Sequence, residues 1–276
     1  MNSAANAKRG YRRVLSIAGS DSGGGAGIQA DLKTFSAHGC YGMTAITALT
    51  AQNTLGVRDI HPVPAAFIKA QMESVLDDIG ADAIKIGMLF SADVIRTVAQ
   101  VLKEQSVQRV VLDPVMVAQS GETLLEEQAV QAMGQELIPA VDLITPNLPE
   151  AEKLLQYTIA DLNAMHRAVR DLAAFGSRAV LLKGGHRKGA VCVDLLYLRD
   201  EDRCVRLEAE YVETDNNHGT GCTLSSAIAA NLACGLDMED AVGKGKEYIT
   251  RAIQAGADHR LGHGHGPVHH FVGIWD

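Results

Sequence analysis

The sequence contains few aromatic residues, no excess of positive charge and no long apolar run. Aromatic side chains make up 4% of the 276 residues, and 33 Asp and Glu against 25 Lys and Arg give a formal net charge of −8. Because no basic stripe is present, nucleic acid is not an expected partner. No apolar stretch approaches the roughly 18 residues that a membrane helix needs, so no membrane association is expected.

Cysteine is also scarce, and its spacing excludes the usual cysteine motifs. The five cysteines are Cys40, Cys192, Cys204, Cys222 and Cys234. No C-x-x-C pair occurs, and an odd number of cysteines does not complete a disulfide framework. We therefore expect reduced thiols and a cytoplasmic location. All of them except Cys222 are interpreted as core-filling residues.

The N-terminal segment does not have the pattern of a secretion signal. Residues 1–12 are basic, and the apolar run VLSIAG that follows them is too short for a signal-peptide core. We expect residues 1–12 to be disordered. Because no linker or internal repeat divides the chain, residues 13–276 are expected to form a single domain.

Apolar, strand-like runs alternate with helical stretches along the chain. The strand-like runs are Val14–Gly19, Met43–Ala51, Asp82–Gly87, Arg109–Asp113, Val141–Thr145, Ala179–Lys183, Ala190–Tyr197 and Val205–Tyr211. The helical stretches are Gly27–His38, Phe67–Ile79, Ala92–Glu104, Glu122–Leu137, Glu150–Leu155, Leu162–Phe175, Thr220–Cys234 and Met238–Ala257. This alternation predicts an α/β fold with a mostly parallel central sheet and helices on both faces. The last two strands are predicted to form an antiparallel hairpin at one edge.

A glycine-rich stretch after the first strand raises the question of a nucleotide-binding loop. Gly25–Ala30 fits the pattern G-x-G-x-x-A between a strand and a helix, as in dinucleotide-binding proteins. That function also needs an acidic residue about twenty positions later. No Asp or Glu lies between Asp31 and Asp59, and no G-x-x-x-x-G-K-[ST] motif occurs in the chain. An NAD-dependent dehydrogenase is therefore disfavoured.

A second glycine-containing segment, HGTGCT at His218–Thr223, opens a helix near the other end of the chain. Leu224, Ile228 and Leu232 follow it with helical spacing. Exposed backbone N–H groups and the positive end of the helix dipole make such a loop a candidate anion-binding site. The alternative is an ordinary helix start that is capped by Thr220.

Polar side chains follow three predicted strands at the same edge of the sheet. Asp113 ends one strand, and Lys183 ends another. Asn147 and Glu150 follow a third strand, although Glu150 could equally be a favourable charge in a first helical turn. Carboxylates can hold Mg²⁺, a lysine can bind phosphates, and loop N–H groups can stabilise developing negative charge. These are the components that phosphoryl transfer requires.

Longer motifs give the sequence a family resemblance. GSDSGGGAGIQADLKTF, ITALTAQNT, KIGML, DPVM, ITPNLPEAE, LLKGGH, HGTGCTLSSAIAANLA and GPVHHF occur in this order between Val14 and Phe271. They resemble the hydroxymethylpyrimidine/phosphomethylpyrimidine kinases of thiamin biosynthesis, which belong to the ribokinase-like superfamily. The resemblance implies a three-layer ribokinase-like fold, ATP and Mg²⁺ as cofactors, and a homodimer.

The resemblance also implies a reaction. The expected activity is ATP-dependent phosphorylation of 4-amino-5-hydroxymethyl-2-methylpyrimidine, and of its monophosphate to the diphosphate. Some relatives phosphorylate pyridoxine vitamers, which also carry a hydroxymethyl group on an aromatic ring, so a vitamin B6 kinase is the alternative. Gln52 and Met88 favour the pyrimidine. A non-catalytic vitamin-binding sensor on the same fold is a further alternative.

Site residues are assigned by matching positions to the resembled family. The pyrimidine site is expected to contain Gly19, Asp31, Gln52, Met88 and Val115. The anion hole is expected to comprise Gly219, Thr220, Gly221 and Cys222. ATP is expected to contact Asn147, Lys183, Thr220 and Lys246, and Mg²⁺ is expected to contact Asp113 and Glu150.

Cys222 is expected to be the catalytic base. Sugar kinases of the resembled superfamily carry Asp at this position, whereas the pyrimidine kinases carry Cys. A thiol at a helix N-terminus should have a lowered pKa, so it could accept the hydroxymethyl proton. The alternative is that Cys222 only fills space, because a loose transition state needs little help from a base.

The sequence also allows predictions for three segments that contain none of these site residues. Gly23–Gly27 should border the acceptor and contact the monophosphate in the second reaction. Ala118–Glu122 is interpreted as a mobile segment that shields the site. The histidine-rich C-terminus, which includes His263 and His265, is interpreted as structural and not as a metal site.

Overall fold

The computed structural model describes residues 10–116, 127–185 and 191–275. Residues 1–9 of the segment expected to be disordered, and the expected mobile segment Ala118–Glu122, lie outside the described residues. At the start of the described chain, the carbonyl oxygen of Arg12 accepts a 2.7 Å hydrogen bond from the backbone N–H of Tyr41. This bond lies next to the first residue pair of the sheet, Arg13 and Tyr41.

Within the described residues, nine strands form one sheet. They are β1 (Arg13–Asp21), β2 (Tyr41–Asn53), β3 (Gly56–Pro62), β4 (Ala83–Ile86), β5 (Val110–Leu112), β6 (Leu143–Ile144), β7 (Ala179–Leu182), β8 (Val191–Leu198) and β9 (Arg203–Glu210). Their spatial order is β3-β2-β1-β4-β5-β6-β7-β8-β9. The six strands from β2 to β7 in this order pair in parallel. At the edges, β3, β8 and β9 pair antiparallel with their neighbours.

The helices occupy the stretches that the apolar periodicity predicts. They are α1 (Gly27–Ala37), α2 (Ala65–Asp78), α3 (Ala92–Glu104), α4 (Glu127–Ala132), α5 (Leu148–Leu155), α6 (Leu162–Ala173), α7 (Thr220–Ala233) and α8 (Met238–Gly256). A side-chain oxygen of Ser91, Asp161 or Asp237 accepts a backbone N–H in the first turn of α3, α6 or α8, respectively. These caps fix where the three helices begin.

The sheet separates two apolar cores. Leu15 and Ile17 of β1 belong to the buried cluster that contains Val98 and side chains of α2 to α6. Val14, on the other face of the same strand, belongs to the cluster with Ile228 and side chains of α1, α7 and α8. Because strand residues alternate between faces, β1 contributes to both cores. The prediction of a mostly parallel sheet with helices on both faces is confirmed.

One strand was not predicted from the sequence. β3 (GVRDIHP) adds an antiparallel edge next to β2, opposite the edge that carries the predicted hairpin. Its residues are half-buried or exposed, and they include Arg58, Asp59 and His61. An edge strand of this kind lacks the apolar alternation that marks a buried strand, so its sequence resembles that of a loop.

The order of the parallel strands determines where the candidate site lies. β5, β6 and β7 are neighbours, so the residues that follow them lie side by side at the C-terminal edge of the sheet. The N-terminus of α7 approaches the same edge, where ligands of open α/β sheets bind. Among the described residues, no helix is both long and apolar enough to cross a membrane.

Candidate active site

Asp113 and Lys183 form an ion pair at the C-terminal edge of the sheet. Nζ of Lys183 lies 2.9 Å from Oδ1 of Asp113, and the hydroxyl of Thr145 donates to the same oxygen at 3.2 Å. The side chains of Asp113 and Lys183 are 3% and 15% exposed. Burial opposes the ammonium charge, but the carboxylates of Asp113 and Glu150 raise the pKa of Lys183 above its ordinary value. Lys183 therefore presents a fixed positive charge.

The second glycine-containing loop, Gly219–Cys222, reaches this ion pair, and we call it the anion loop. A Cβ atom added to Gly221 would lie 3.2 Å from Oδ2 of Asp113 and 3.4 Å from Nζ of Lys183. Gly221 therefore lies next to both members of the ion pair, and a side chain at this position would crowd Oδ2 of Asp113. The structure brings together three of the residues that the sequence assigned to phosphoryl transfer.

Glycine also governs the start of the helix that follows the anion loop. Gly219 is the N-cap of α7 with φ +80°, and no side chain caps the helix. The hydroxyl of Thr220 donates instead to the carbonyl oxygen of Asn217 at 2.6 Å. The alternative of capping by Thr220 is therefore wrong. N–H groups without a side-chain cap at a helix N-terminus are suited to an anion.

Asn147 and Glu150 form a capping box at the start of α5. Oδ1 of Asn147 accepts the N–H of Glu150, and Oε2 of Glu150 accepts the N–H of Asn147, both at 2.9 Å. Burial and then the charge of Asp113 raise the pKa of Glu150 to about 7, against the opposing effect of Lys183 and of backbone hydrogen bonds from Asn147 and Met116. The N-x-x-E motif thus both caps a helix and places a second carboxyl group near Asp113.

The donor set fits a magnesium ion that binds together with phosphates. Among the described residues, no group of three or more His, Cys, Asp or Glu side chains could hold a metal ion alone. Mg²⁺ is usually bound by one or two carboxylates, with phosphate and water oxygens completing six ligands. Asp113 and Glu150 supply such a pair. Burial and the nearby charge of Asp113 raise the pKa of Glu150, so a bound cation would favour its ionised form.

The first glycine-rich stretch, Gly23–Gly27, is called the glycine loop, and its N–H groups are already used. The carboxylate of Asp21 accepts the N–H groups of Gly23, Gly25 and Ala26 at 2.8, 3.1 and 2.8 Å. Burial opposes the charge, but hydrogen bonds from His218 and then from Ala26 and Gly23 lower the pKa of Asp21. A carboxylate of the chain therefore occupies the place where a phosphate would bind. The expectation that this loop contacts the monophosphate is not supported.

His218 joins the glycine loop to the anion loop. Its Nε2 lies 2.8 Å from Oδ2 of Asp21, although the two residues are 197 positions apart. The ring also packs against Gly25, and the next residue, Gly219, packs against the carbonyl oxygen of Gly25. Sequence reasoning missed both Asp21 and His218 as site residues. A single sequence carries no signal for a pairing over this distance.

The residues expected at the pyrimidine site, apart from Asp31, lie near the two loops or near the ion pair. A Cβ atom at Gly19 would lie 2.5 Å from Cε of Met88, so the two residues are in contact. The side-chain amide of Gln52 lies 3.3 Å from Nε2 of His218. The N–H of Val115 bonds to the carbonyl oxygen of Asp113, which places Val115 beside the ion pair.

Comparison with known proteins identifies the family. A model of the phosphomethylpyrimidine kinase family matches residues 21–269. The chain belongs to this family. The hydroxymethylpyrimidine/phosphomethylpyrimidine kinase of Rhizobium meliloti is 50% identical over 263 residues, which are 95% of this chain and 98% of that protein. The thiamine biosynthesis bifunctional protein ThiED of Geobacter sulfurreducens is 48% identical over 95% of this chain, which spans 53% of that protein.

Solved structures of related kinases share the fold. A phosphomethylpyrimidine kinase from Clostridium difficile 630 is 44% identical, with a TM-score of 0.77, and the match covers 87% of this chain and 99% of that chain. A Bacillus subtilis pyridoxal kinase in complex with ADP is 38% identical, with a TM-score of 0.86 over 95% and 98% of the two chains. The ribokinase-like fold is confirmed, and the chain is a kinase, a phosphotransferase.

Asp31 departs from the role that the family resemblance implied. Its side chain is not exposed at all, and its carboxylate lies 2.8 and 3.0 Å from Nζ of Lys85, which is equally buried. The hydroxyls of Ser16 and Ser226 donate to it at 2.5 and 2.6 Å. A carboxylate with these partners has no free surface for a pyrimidine. Asp31 is therefore a structural link between α1, α7, β1 and β4, and its assignment as a substrate contact is wrong.

Cys222 also differs from the expectation. Burial, and then the charges of Asp31 and Asp113, raise the pKa of the thiol to about 11, against the lowering effect of Lys85 and of the N–H of Gly27. The predicted lowering is wrong because burial of the thiol outweighs the lowering effects of Lys85 and of the N–H of Gly27. At neutral pH the thiol keeps its proton.

Lys246 lies close to the site but is already paired. Its Nζ lies 2.5 Å from Oδ2 of Asp194, and the other oxygen of Asp194 accepts the N–H of Gly184. Gly184 directly follows Lys183, so Lys246 is near the strand end that carries Lys183. Its side chain is 15% exposed, and Asp194 neutralises its ammonium group.

Proposed function

We propose that the chain transfers the γ-phosphoryl group of ATP to the hydroxymethyl oxygen of 4-amino-5-hydroxymethyl-2-methylpyrimidine. In a second reaction it phosphorylates the monophosphate to the diphosphate. The observation that carries the proposal is the contact of Gly221 with the Asp113–Lys183 ion pair. This contact supports the proposal because phosphoryl transfer requires loop N–H groups, an ammonium group and a carboxylate close together.

We assign these groups to the binding of ATP and of the transferring phosphoryl group. The N–H groups of the anion loop stabilise the negative charge that develops on the transferring group, and Lys183 binds phosphate oxygens. Asp113 and Glu150 would hold Mg²⁺, which supplies neutralising positive charge when it is bound. Asn147, Thr220 and Lys246 complete the proposed ATP contacts. Lys246 must partly leave Asp194 to make such a contact.

On the acceptor side, Gly19, Gln52, Met88 and Val115 are proposed to hold the pyrimidine. An added Cβ atom at Gly19 would meet Cε of Met88, so these two residues border the proposed pyrimidine site together. The amide of Gln52 can bond ring nitrogens or the exocyclic amine. Cys222 positions the hydroxymethyl group without taking its proton first, because a thiol with a pKa of about 11 is protonated and a loose transition state needs little base.

The proposal also includes the domain organisation, the location and the oligomeric state of the protein. We assign residues 13–276 to one kinase domain, which acts in the cytoplasm as a homodimer on small molecules. The acidic balance of the sequence supports the absence of nucleic-acid partners.

A vitamin B6 kinase is the second candidate. It is favoured by the likeness of the fold to a solved pyridoxal kinase. Pyridoxal also offers a hydroxymethyl group on an aromatic ring, so the same phosphoryl side could serve it. The pyrimidine is preferred because the relatives that are 48 to 50% identical carry the thiamine-pathway names.

Product analysis tests the proposal. The purified protein, incubated with ATP, Mg²⁺ and the hydroxymethylpyrimidine, is expected to yield first the monophosphate and then the diphosphate in mass spectra. A Lys183→Met variant should lose roughly 100-fold in kcat, because the transferring group loses its cation. Lys69→Met is the matched control, since Lys69 pairs with Glu73 and Glu104 on the exposed surface. Absence of both products with the parent protein contradicts the proposal.

A further inference from the structure

Two cysteines that are distant in the sequence meet in the structure. Sγ of Cys40 and Sγ of Cys234 are 3.8 Å apart, although the two residues are 194 positions apart in the sequence. Sequence reasoning assigned both to core filling. Cys40 does fit that role because it is 7% exposed, but Cys234 is exposed. An exposed thiol in contact with a buried one is a different chemical arrangement from a packed core residue.

The local structure holds both residues against each other. Cys40 lies between the end of α1 and the start of β2, and Cys234 is the C-cap of α7. The thiol of Cys40 also lies 3.8 Å from the carbonyl oxygen of Ala230, in the last turn of α7. A disulfide needs its two sulfurs at about 2 Å, so the pair must close by about 2 Å to form one.

The two thiols differ in reactivity. Cys234 is an exposed residue, so we expect a small reagent to reach it before Cys40. Burial, and then the proximity of Cys234 and its charge, raise the pKa of Cys40 to about 12. The arrangement therefore pairs an accessible attacking thiol with a protected resolving thiol.

We propose that Cys40 and Cys234 form a reversible oxidation site whose co-reactant is a low-molecular-weight disulfide. The thiolate of Cys234 attacks one sulfur of the reagent, the reagent's S–S bond breaks, and one thiolate leaves. Cys40 then loses its proton to solvent and attacks Sγ of Cys234, releasing the second thiolate. Two protein thiols are oxidised to one disulfide, and the reagent is reduced to two thiols, which take up the two protons.

The crosslink would join the C-terminal ends of two helices whose other ends carry the site. α1 begins at the glycine loop and α7 begins in the anion loop. Helices of 11 and 14 residues place the bond roughly 15 to 20 Å from these loops. We therefore expect the crosslink to keep the loops in place and preserve turnover. It closes a very long chain loop, so it should stabilise the fold.

Incubation of the complete protein with glutathione disulfide tests this site. The expected result is loss of two of the five thiols in a denaturing thiol titration, and a disulfide-linked peptide pair that contains Cys40 and Cys234. The oxidised protein should remain one chain on a non-reducing gel. Its Tm should rise by about 5 °C or more, and a reducing agent should reverse the rise.

Two single-cysteine variants test whether the crosslink and the rise in Tm depend on Cys234. Cys234→Ser changes an exposed side chain and should abolish the linked peptides and the rise in Tm. Cys204→Ser is the matched control because Cys204 is half-buried elsewhere, on β9, and it should behave like the parent protein. Five free thiols after treatment, a mixed disulfide that persists on Cys234, or a Cys234–Cys234 bond between two chains would each overturn the proposal. None of these readouts depends on kinase activity.

Discussion

Gly219 of the anion loop packs directly against the backbone carbonyl oxygen of Gly25 in the glycine loop. Both glycine-rich segments were candidates for the phosphate-binding loop in the sequence, and in the structure they form one surface. They differ in their backbone N–H groups. Asp21 accepts hydrogen bonds from N–H groups of the glycine loop, whereas no side-chain cap is seen at the anion loop among the described residues. We infer that the transferring phosphoryl group belongs to the anion loop.

Replacement of Gly219 by Ala should disable catalysis. The residue has φ +80°, and an added Cβ atom would overlap the carbonyl oxygen of Gly25, so the two loops must separate. We expect kcat to fall about 100-fold, as when an oxyanion-hole donor is lost. Steady-state kinetics measure the effect. Gly243→Ala is the matched control, because a Cβ atom at Gly243 meets nothing within 4 Å; equal kinetics of the two variants would contradict the role.

Asp31→Asn should reduce stability more than substrate affinity. The change leaves the buried ammonium of Lys85 without its carboxylate, which typically costs about 3 to 5 kcal/mol of unfolding free energy. Urea unfolding measures the loss. Lys85→Met alone should be similarly harmful, because it leaves Asp31 unpaired.

The double variant Asp31→Asn with Lys85→Met provides the control for this pair. It removes both charges, so it should recover much of the free energy that either single change loses. The KM for the pyrimidine in the folded fraction should stay within about twofold of the parent value, since Asp31 has no exposed surface. A large rise in KM with unchanged stability would restore the substrate-binding role.

Cys222→Ser should leave the pH dependence of kcat unchanged. Burial raises the pKa of this thiol to about 11, so the group stays protonated from pH 6 to 9 and does not titrate in that range. We expect a moderate fall in kcat, about tenfold or less, from altered positioning. Profiles of kcat against pH for both proteins provide the measurement. A parent profile that rises with pH while the variant's stays flat would support a base.

His270 should make the protein less stable in mild acid. Burial, and then the positive charges of Lys33, His218 and His269, lower the pKa of this side chain to about 3, and its Nε2 has no hydrogen-bond partner among the described residues. The unfolded chain takes up the proton near pH 6.5 and the folded chain only near pH 3. Between these values the unfolded state binds more protons, so stability falls as pH falls, by about 1.4 kcal/mol per unit.

A His270→Gln variant isolates this contribution. The loss of unfolding free energy between pH 7 and pH 5 should be about 2 kcal/mol smaller in the variant than in the parent protein. His61→Gln, which changes an exposed histidine on β3, should retain the parent's loss. Urea unfolding at the two pH values provides the comparison, and an identical loss in all three proteins would refute the assignment.

The sequence predicts much of this fold because its signals are local. Helix α3, for example, has the predicted bounds Ala92–Glu104, set by apolar spacing and by the Ser91 cap. The meeting of Asp113 and Lys183 was also predictable, since the C-terminal ends of neighbouring parallel strands share one edge. The strand β3 was not, because a polar edge strand has no alternation of its own.

The site residues that escaped prediction depend on distant partners. Lys85 is one charged residue in the apolar run AIKI, and only the fold shows that it neutralises Asp31. His218 and Asp21 are paired across most of the chain, as are Cys40 and Cys234. Periodicity and motif spacing describe each residue with its neighbours in sequence, so such pairs require the packed structure.

Competition between acceptors tests the central claim most directly. The parent protein, with ATP and Mg²⁺ in excess, should be given equal concentrations of the hydroxymethylpyrimidine, its monophosphate and pyridoxal, and the kcat/KM of each should be derived from the product ratios. The account predicts that both pyrimidines are phosphorylated, with kcat/KM at least about tenfold above that of pyridoxal. Preferential phosphorylation of pyridoxal, with no pyrimidine diphosphate formed, would contradict it.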